Sequence, residues 1–133
     1  MAEMQVEYKG GWEFRADSRS HSIIIDLPAQ MKGEDKGMTP PELFIASLAS
    51  CVGVYVVDYC KAQNISTDGL KVVANYEDVE GGPARIGKIS LEIVMPGGVP
   101  QEHRNPLMKM AAQCKVHNTI CTLPDIRMTL TAG

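Results

Sequence analysis

Residues 43–57 constrain this chain more than any other segment. From Leu43 to Val57 nearly every residue is apolar or small, and Asp58 is the first charge after Glu42. The run has a helix start signal. Thr39-Pro40-Pro41-Glu42 fits a capping box, with Thr39 as N-cap, Pro40 at the first helical position and Glu42 three residues after the cap. A helix without a polar face must be buried on nearly all sides. One layer of β-structure on one face of so small a domain does not cover it, and a second subunit is the simplest way to do so.

Composition fits that picture. The 133 residues are 44% hydrophobic and 22% charged, which is globular rather than disordered. A net charge of −3 and a pI near 5.6 give no basic surplus for nucleic acid or an anionic membrane. Aromatic residues are only 5%, too few for a base-stacking platform. No uninterrupted apolar run reaches the roughly 18–20 residues of a membrane span. The opening residues, MAEMQVEYKGGWEF, carry acids and lack the basic-then-apolar order of a signal peptide. A soluble, cytoplasmic single domain over residues 1–133 is therefore expected.

Around the helix the pattern is β-rich. Met4 to Ala16 and Ser22 to Leu27 flank the polar turn Asp17-Ser18-Arg19-Ser20, a hairpin signature. Residues 30–38 read as an exposed loop. Leu70 to Glu77 and Ala84 to Val94 form a second hairpin around residues 78–83, with polar–apolar alternation from Lys88 to Ile93. A second helix is expected after Asn105-Pro106, running toward Gln113. Asp125 to Thr131 alternates again and predicts a last strand. The order β-β-α-β-β-α-β gives an α+β domain.

The four cysteines are Cys51, Cys60, Cys114 and Cys121, and no pair has CxxC spacing. Without a secretory signal they are expected as thiols, and a pair that oxidises is expected to be catalytic. Cys51 lies deep in the apolar helix, where a cysteine is most often a small buried hydrophobe. Cys60 reads as structural on the same ground. Cys114, His117 and Cys121 form C-x2-H-x3-C, which on a helix brings His117 one turn from either sulfur. Zinc or iron can use such ligands with Cys51 as a fourth, but paired Cys-x2-Cys clusters are missing and no metal is expected. His21 and His103 read as surface-turn residues.

Two segments together are more specific than either alone. Gly37-Met38-Thr39-Pro40 followed by residues 41–51, ending Ala49-Ser50-Cys51, resembles the central-helix signature of the OsmC/Ohr family, in its broader OsmC-like branch. Cys114-Lys115-Val116-His117-Asn118-Thr119-Ile120 resembles that family's second cysteine motif, and Ile25-Asp26-Leu27-Pro28 also fits. The resemblance implies an OsmC-like α+β fold, with sheets around a buried central helix in an intertwined homodimer. It also implies a thiol-dependent peroxidase acting on organic hydroperoxides, with Cys51 peroxidatic and Cys114 resolving. An external dithiol, for which a lipoyl-type compound is one candidate, would regenerate it without any cofactor. Similar peroxidases hold the thiolate with an N-terminal arginine fixed by a glutamate; Arg15 and Arg19 are the arginine candidates here. The glutamate's usual position, ten residues before the cysteine, is Pro41, and Glu42 stands about 100° further round the helix. Glu42 is thus a site candidate whose capping role alone would explain it. The competing function on the same fold is binding of a hydrophobic ligand without efficient turnover.

Overall fold

The computed structural model describes residues 2–133. The chain divides into two compact units, residues 1–46 and 47–133.

In the first unit, β1 (Gln5–Gly10), β2 (Glu13–Ser18) and β3 (His21–Ile25) form an antiparallel sheet in that order. The sequence predicts one arm from Met4 to Ala16, and the structure divides it at Gly10-Gly11. Both glycines have positive φ, 107° and 56°, which a residue with a Cβ rarely adopts, so the chain reverses there. The register pairs Val6 with Ala16, Tyr8 with Phe14, and Ala16 with Ile23, giving the sheet one apolar face. Glu7, Arg15 and Asp17 stand on the other.

After β3, Asp26 organises the next ten residues. Its carboxylate is 1% exposed and accepts three backbone N–H bonds, from Leu27 at 2.7 Å, Lys36 at 3.2 Å and Glu34 at 3.3 Å. Its own N–H donates to the Met38 carbonyl at 3.2 Å. The loop, with a short 3-10 turn at Ala29–Met31, is thereby tied back to the strand end. Burial alone would push the Asp26 pKa up, but the N–H bonds from Leu27, Lys36 and Glu34 outweigh it and leave it lowered.

Helix α1 (Pro40–Gln63) starts at the predicted proline. The capping box is formed in both directions: Thr39 N–H donates to Glu42 Oε1 at 2.8 Å, and Glu42 N–H to Thr39 Oγ1 at 3.3 Å. Asn64 ends the helix in the left-handed conformation, with Ile65 N–H bonded to the Cys60 carbonyl at 2.9 Å. The core helix of a soluble protein can match a membrane span in length and composition, and α1 does so. At 24 residues, with an 18-residue window of mean hydropathy 1.8, α1 is long and apolar enough to cross a bilayer by length and composition.

In the second unit, β4 (Lys71–Asp78) and β5 (Ile86–Val94) form an antiparallel hairpin. Ile89, Leu91 and Ile93 alternate onto the face that packs against a core of Leu48, Val52, Val56, Cys60, Leu107, Ala111 and Cys114. Positions 48, 52, 56 and 60 recur every four residues, so they form one stripe along α1. Away from that stripe Val54 is 63% exposed, so the all-round burial expected of this helix is not reached within one chain. A hairpin and two short helices cover one side only.

Helix α2 runs over Gln101–Ala111 and begins five residues earlier than predicted. Pro106 lies inside it rather than at its start. A proline there costs about 3 kcal/mol, and burial of Leu107 and Ala111 one and five residues later offsets that cost. His103 accordingly lies in α2, not in a turn: its Nδ1 is 2.8 Å from the Tyr59 hydroxyl of α1. Helix α3 (Lys115–Cys121), absent from the predicted order, follows after a short break. The final strand expected over Asp125 to Thr131 does not form. Strands need a partner edge, and this segment has none among the described residues, leaving Ile126, Met128 and Leu130 open to solvent.

Candidate active site

The second unit brings two of the sequence-predicted residues together. Cys51 lies on α1 and is half-buried, while Cys114 caps α3 and is fully buried. Each cysteine is the side chain that most affects the other's ionisation, Cys114 easing it at Cys51 and Cys51 opposing it at Cys114. Cys114 occupies the N-cap position because its backbone is extended, with φ −51° and ψ 131°, so its sulfur accepts the His117 N–H at 3.4 Å. The first amides of the helix, at Lys115 and Val116, are left without intrahelical partners, and they favour the charged form of Cys51.

These contacts separate the two thiols electrostatically. Burial pushes the Cys51 thiol up, but the Cys114 side chain, the Val116 and Lys115 amides and the Lys115 charge together bring it below the ordinary thiol value. Cys114 is displaced the other way, because burial and the Cys51 side chain both oppose its ionisation. Ionisation is therefore easier at Cys51 than at Cys114.

The other predicted site residues belong to the first unit. Arg15 stands on the polar face of β2, its Nε 2.9 Å from the Asp17 carboxylate. Asp17 also accepts the Ser22 hydroxyl, and these two bonds, Ser22's first, hold its pKa low. Arg19 occupies the β2–β3 turn with φ 56°. Glu42 is engaged in the capping box, where the Thr39 bonds lower its pKa. Cys60 sits in the core stripe, and burial raises its pKa.

His117 reaches the two sulfurs differently from the sequence expectation. Its backbone, not its ring, contacts Cys114, and its ring Nε2 lies 3.5 Å from Cys121 Sγ. Among the described residues no group of three or more His, Cys, Asp or Glu side chains is arranged to hold a metal ion. The Lys115 and Val116 amides are not among the residues that the sequence singles out. The available signal was a cysteine immediately before a short helical stretch, the position from which an N-cap leaves amides free.

An OsmC-like protein family model matches residues 33–129, which spans both cysteine segments. The chain belongs to the OsmC-like family. Solved OsmC-like structures share its fold at low identity. An OsmC-like protein of Mycoplasma pneumoniae is 19% identical, with a TM-score of 0.75 over 92% of this chain and 89% of its own. An organic hydroperoxide resistance protein OsmC of Legionella pneumophila is 18% identical, with a TM-score of 0.66 over 90% and 88%. An organic hydroperoxide resistance protein of Elizabethkingia anophelis is 21% identical, with a TM-score of 0.64 over 90% and 86%. A search of curated proteins returns no significant match. At these identities the OsmC-like structures speak for the α+β fold alone.

Proposed function

We propose that this OsmC-like protein is a thiol-dependent peroxidase that reduces organic hydroperoxides. Its Cys51 thiolate attacks the terminal peroxide oxygen, the O–O bond breaks, and the alkoxide leaves as an alcohol after taking a proton. Cys51 becomes a sulfenic acid. The Cys114 sulfur then attacks Cys51, water departs, and a Cys51–Cys114 disulfide remains. An external dithiol, lipoyl-type compounds included, reduces that disulfide and is itself oxidised.

The observation that carries the reading is the paired thiols at the start of α3, with Cys51 lowered and Cys114 raised. A nucleophile needs its thiolate, and a resolving partner must sit within bonding reach. Two of the structural relatives are described as organic hydroperoxide resistance proteins, which favours the same chemistry. The apolar surroundings of Cys51, with Val52 and Val56 in the core beside it, favour an organic substrate over hydrogen peroxide. Arg15 and Arg19 are the candidates for a further cation at the thiolate, and Glu42 is assigned to the helix cap.

The working form proposed is a cytoplasmic, intertwined homodimer. Three apolar surfaces support a second copy: Val54 on α1, the sheet face bearing Val6, Tyr8 and Phe14, and the unpaired C-terminal segment. The alternative, a hydrophobic-ligand-binding protein without turnover, draws on an apolar cavity of about 180 Å³ against Met4, Ala16 and Ile23. Steady consumption of a dithiol that depends on cumene hydroperoxide supports the peroxidase. Absence of turnover with retention of a lipid-like ligand supports the alternative.

A further inference from the structure

A second sulfur–base pair lies outside the Cys51 site. Cys121 ends α3, is exposed, and places its Sγ 3.5 Å from His117 Nε2. The two residues are four apart on a helix, so the contact follows from the backbone once α3 forms. Among the described residues the ring's other nitrogen, Nδ1, is buried with no partner, so the Cys121 sulfur is the ring's polar contact. The backbone of His117 is fixed by its N–H bond to Cys114 Sγ at 3.4 Å, which sets where the ring stands. In the tautomer that carries its proton on Nδ1, the ring offers Nε2 as a proton acceptor to the Cys121 thiol.

No cysteine of the chain is available to Cys121. Cys114 is seven residues away along α3, about 10 Å at 1.5 Å per residue. A disulfide needs Cα atoms within roughly 7 Å. Cys51 is engaged at the far end of the same helix, and Cys60 is sealed in the core. Any disulfide at Cys121 must come from outside.

We infer that Cys121, served by His117, is a surface thiol–disulfide exchange site for small-molecule disulfides, separate from the Cys51–Cys114 pair. The Cys121 proton passes to His117 Nε2 and the thiolate attacks one sulfur of R–S–S–R. The S–S bond breaks, leaving Cys121–S–S–R, and the released thiolate takes up a proton as R–SH. Cys121 is oxidised, the small disulfide is reduced, and a second thiol reverses the step. The inference does not depend on peroxidase activity.

The reduced full-length protein would be treated with 2-hydroxyethyl disulfide, and the mixed disulfides mapped by digestion without reductant. Cys121 is expected to be modified faster in the native chain than in the same chain unfolded in urea, after correction for the effect of urea on free cysteine. His117→Ala should slow Cys121 modification by about tenfold or more, and added imidazole should restore part of the loss. An unmodified Cys60 in that variant reports that the core has held. If Cys60 does react, the native-against-urea comparison decides without the variant. A folded His117→Ala protein that reacts at the wild-type rate would overturn the proposal. So would a native Cys121 that reacts no faster than the unfolded one.

Discussion

Asp26 and Cys51 are two acidic groups that meet the same physical problem in different parts of the chain. Each sits where burial opposes its charge, and for each backbone amides overcome that opposition. Asp26 is 1% exposed, with its two oxygens shared among three N–H groups of its own loop. Cys51 takes its amides from a distant element, α3, and remains half open. On the proposed function, the amide cradle is structural where it closes completely and chemical where one side stays accessible. What surrounds the cradle, rather than the cradle itself, decides which role the anion plays.

The sharpest way to break the comparison is to remove the anion on the chemical side. Cys51→Ser should abolish hydroperoxide-dependent dithiol oxidation without lowering the melting temperature appreciably. Cys114→Ser should permit one oxidation that stalls as a sulfenic acid, seen by dimedone trapping. Full activity in Cys51→Ser would remove the proposed mechanism. On the structural side, Asp26→Asn should lower the melting temperature by several degrees, because an amide nitrogen would face at least one of the three donors. The sign with pH follows from its lowered pKa. The Asp26 contribution is complete above its ordinary value of 3.8 and is lost as pH falls through the lower folded value. Thermal melts from pH 7 to pH 2.5 should therefore show the wild-type advantage over Asp26→Asn shrinking at the acid end.

A finer pair of variants separates amide from charge at Cys51. Lys115 is the first residue of α3, where proline is tolerated, and Cys114 already has the extended backbone a following proline favours. Lys115→Pro removes both the N–H and the charge, and should slow Cys51 alkylation at pH 7 by roughly tenfold. Lys115→Ala keeps the N–H and should slow it about twofold. Both rates should converge on wild type at alkaline pH, where the thiolate forms unaided. Equal slowing at every pH would contradict the electrostatic account. The smallest effects are expected for Arg15→Ala and Arg19→Ala, since the α3 amides and Lys115 already hold the charge. A few-fold slowing confined to neutral pH would assign one of them to the site.

These distinctions were unevenly legible in the sequence. The start of α1 could be read because Thr39, Pro40 and Glu42 each have a positional meaning, and the β4–β5 hairpin because its alternation faces one core. The break at Gly10-Gly11 was hidden inside a continuous β-like pattern. The start of α2 was misplaced because Asn105-Pro106 imitates a helix cap, and a proline within a helix is decided by packing at Leu107 and Ala111. The alternation from Asp125 to Thr131 forms no strand, since alternation reports a strand's faces and not whether an edge awaits it. At the site, the two cysteine segments stood out by resemblance. The amides of Lys115 and Val116 did not, because a backbone N–H carries no residue identity.

The most direct test of the central claim is the intact mass and free-thiol count of the reduced protein after one equivalent of cumene hydroperoxide, with the linkage mapped by digestion without reductant. The account predicts rapid loss of two thiols and a single Cys51–Cys114 disulfide, with Cys60 untouched. Four free thiols after exposure, or a disulfide that leaves out Cys51, would contradict it.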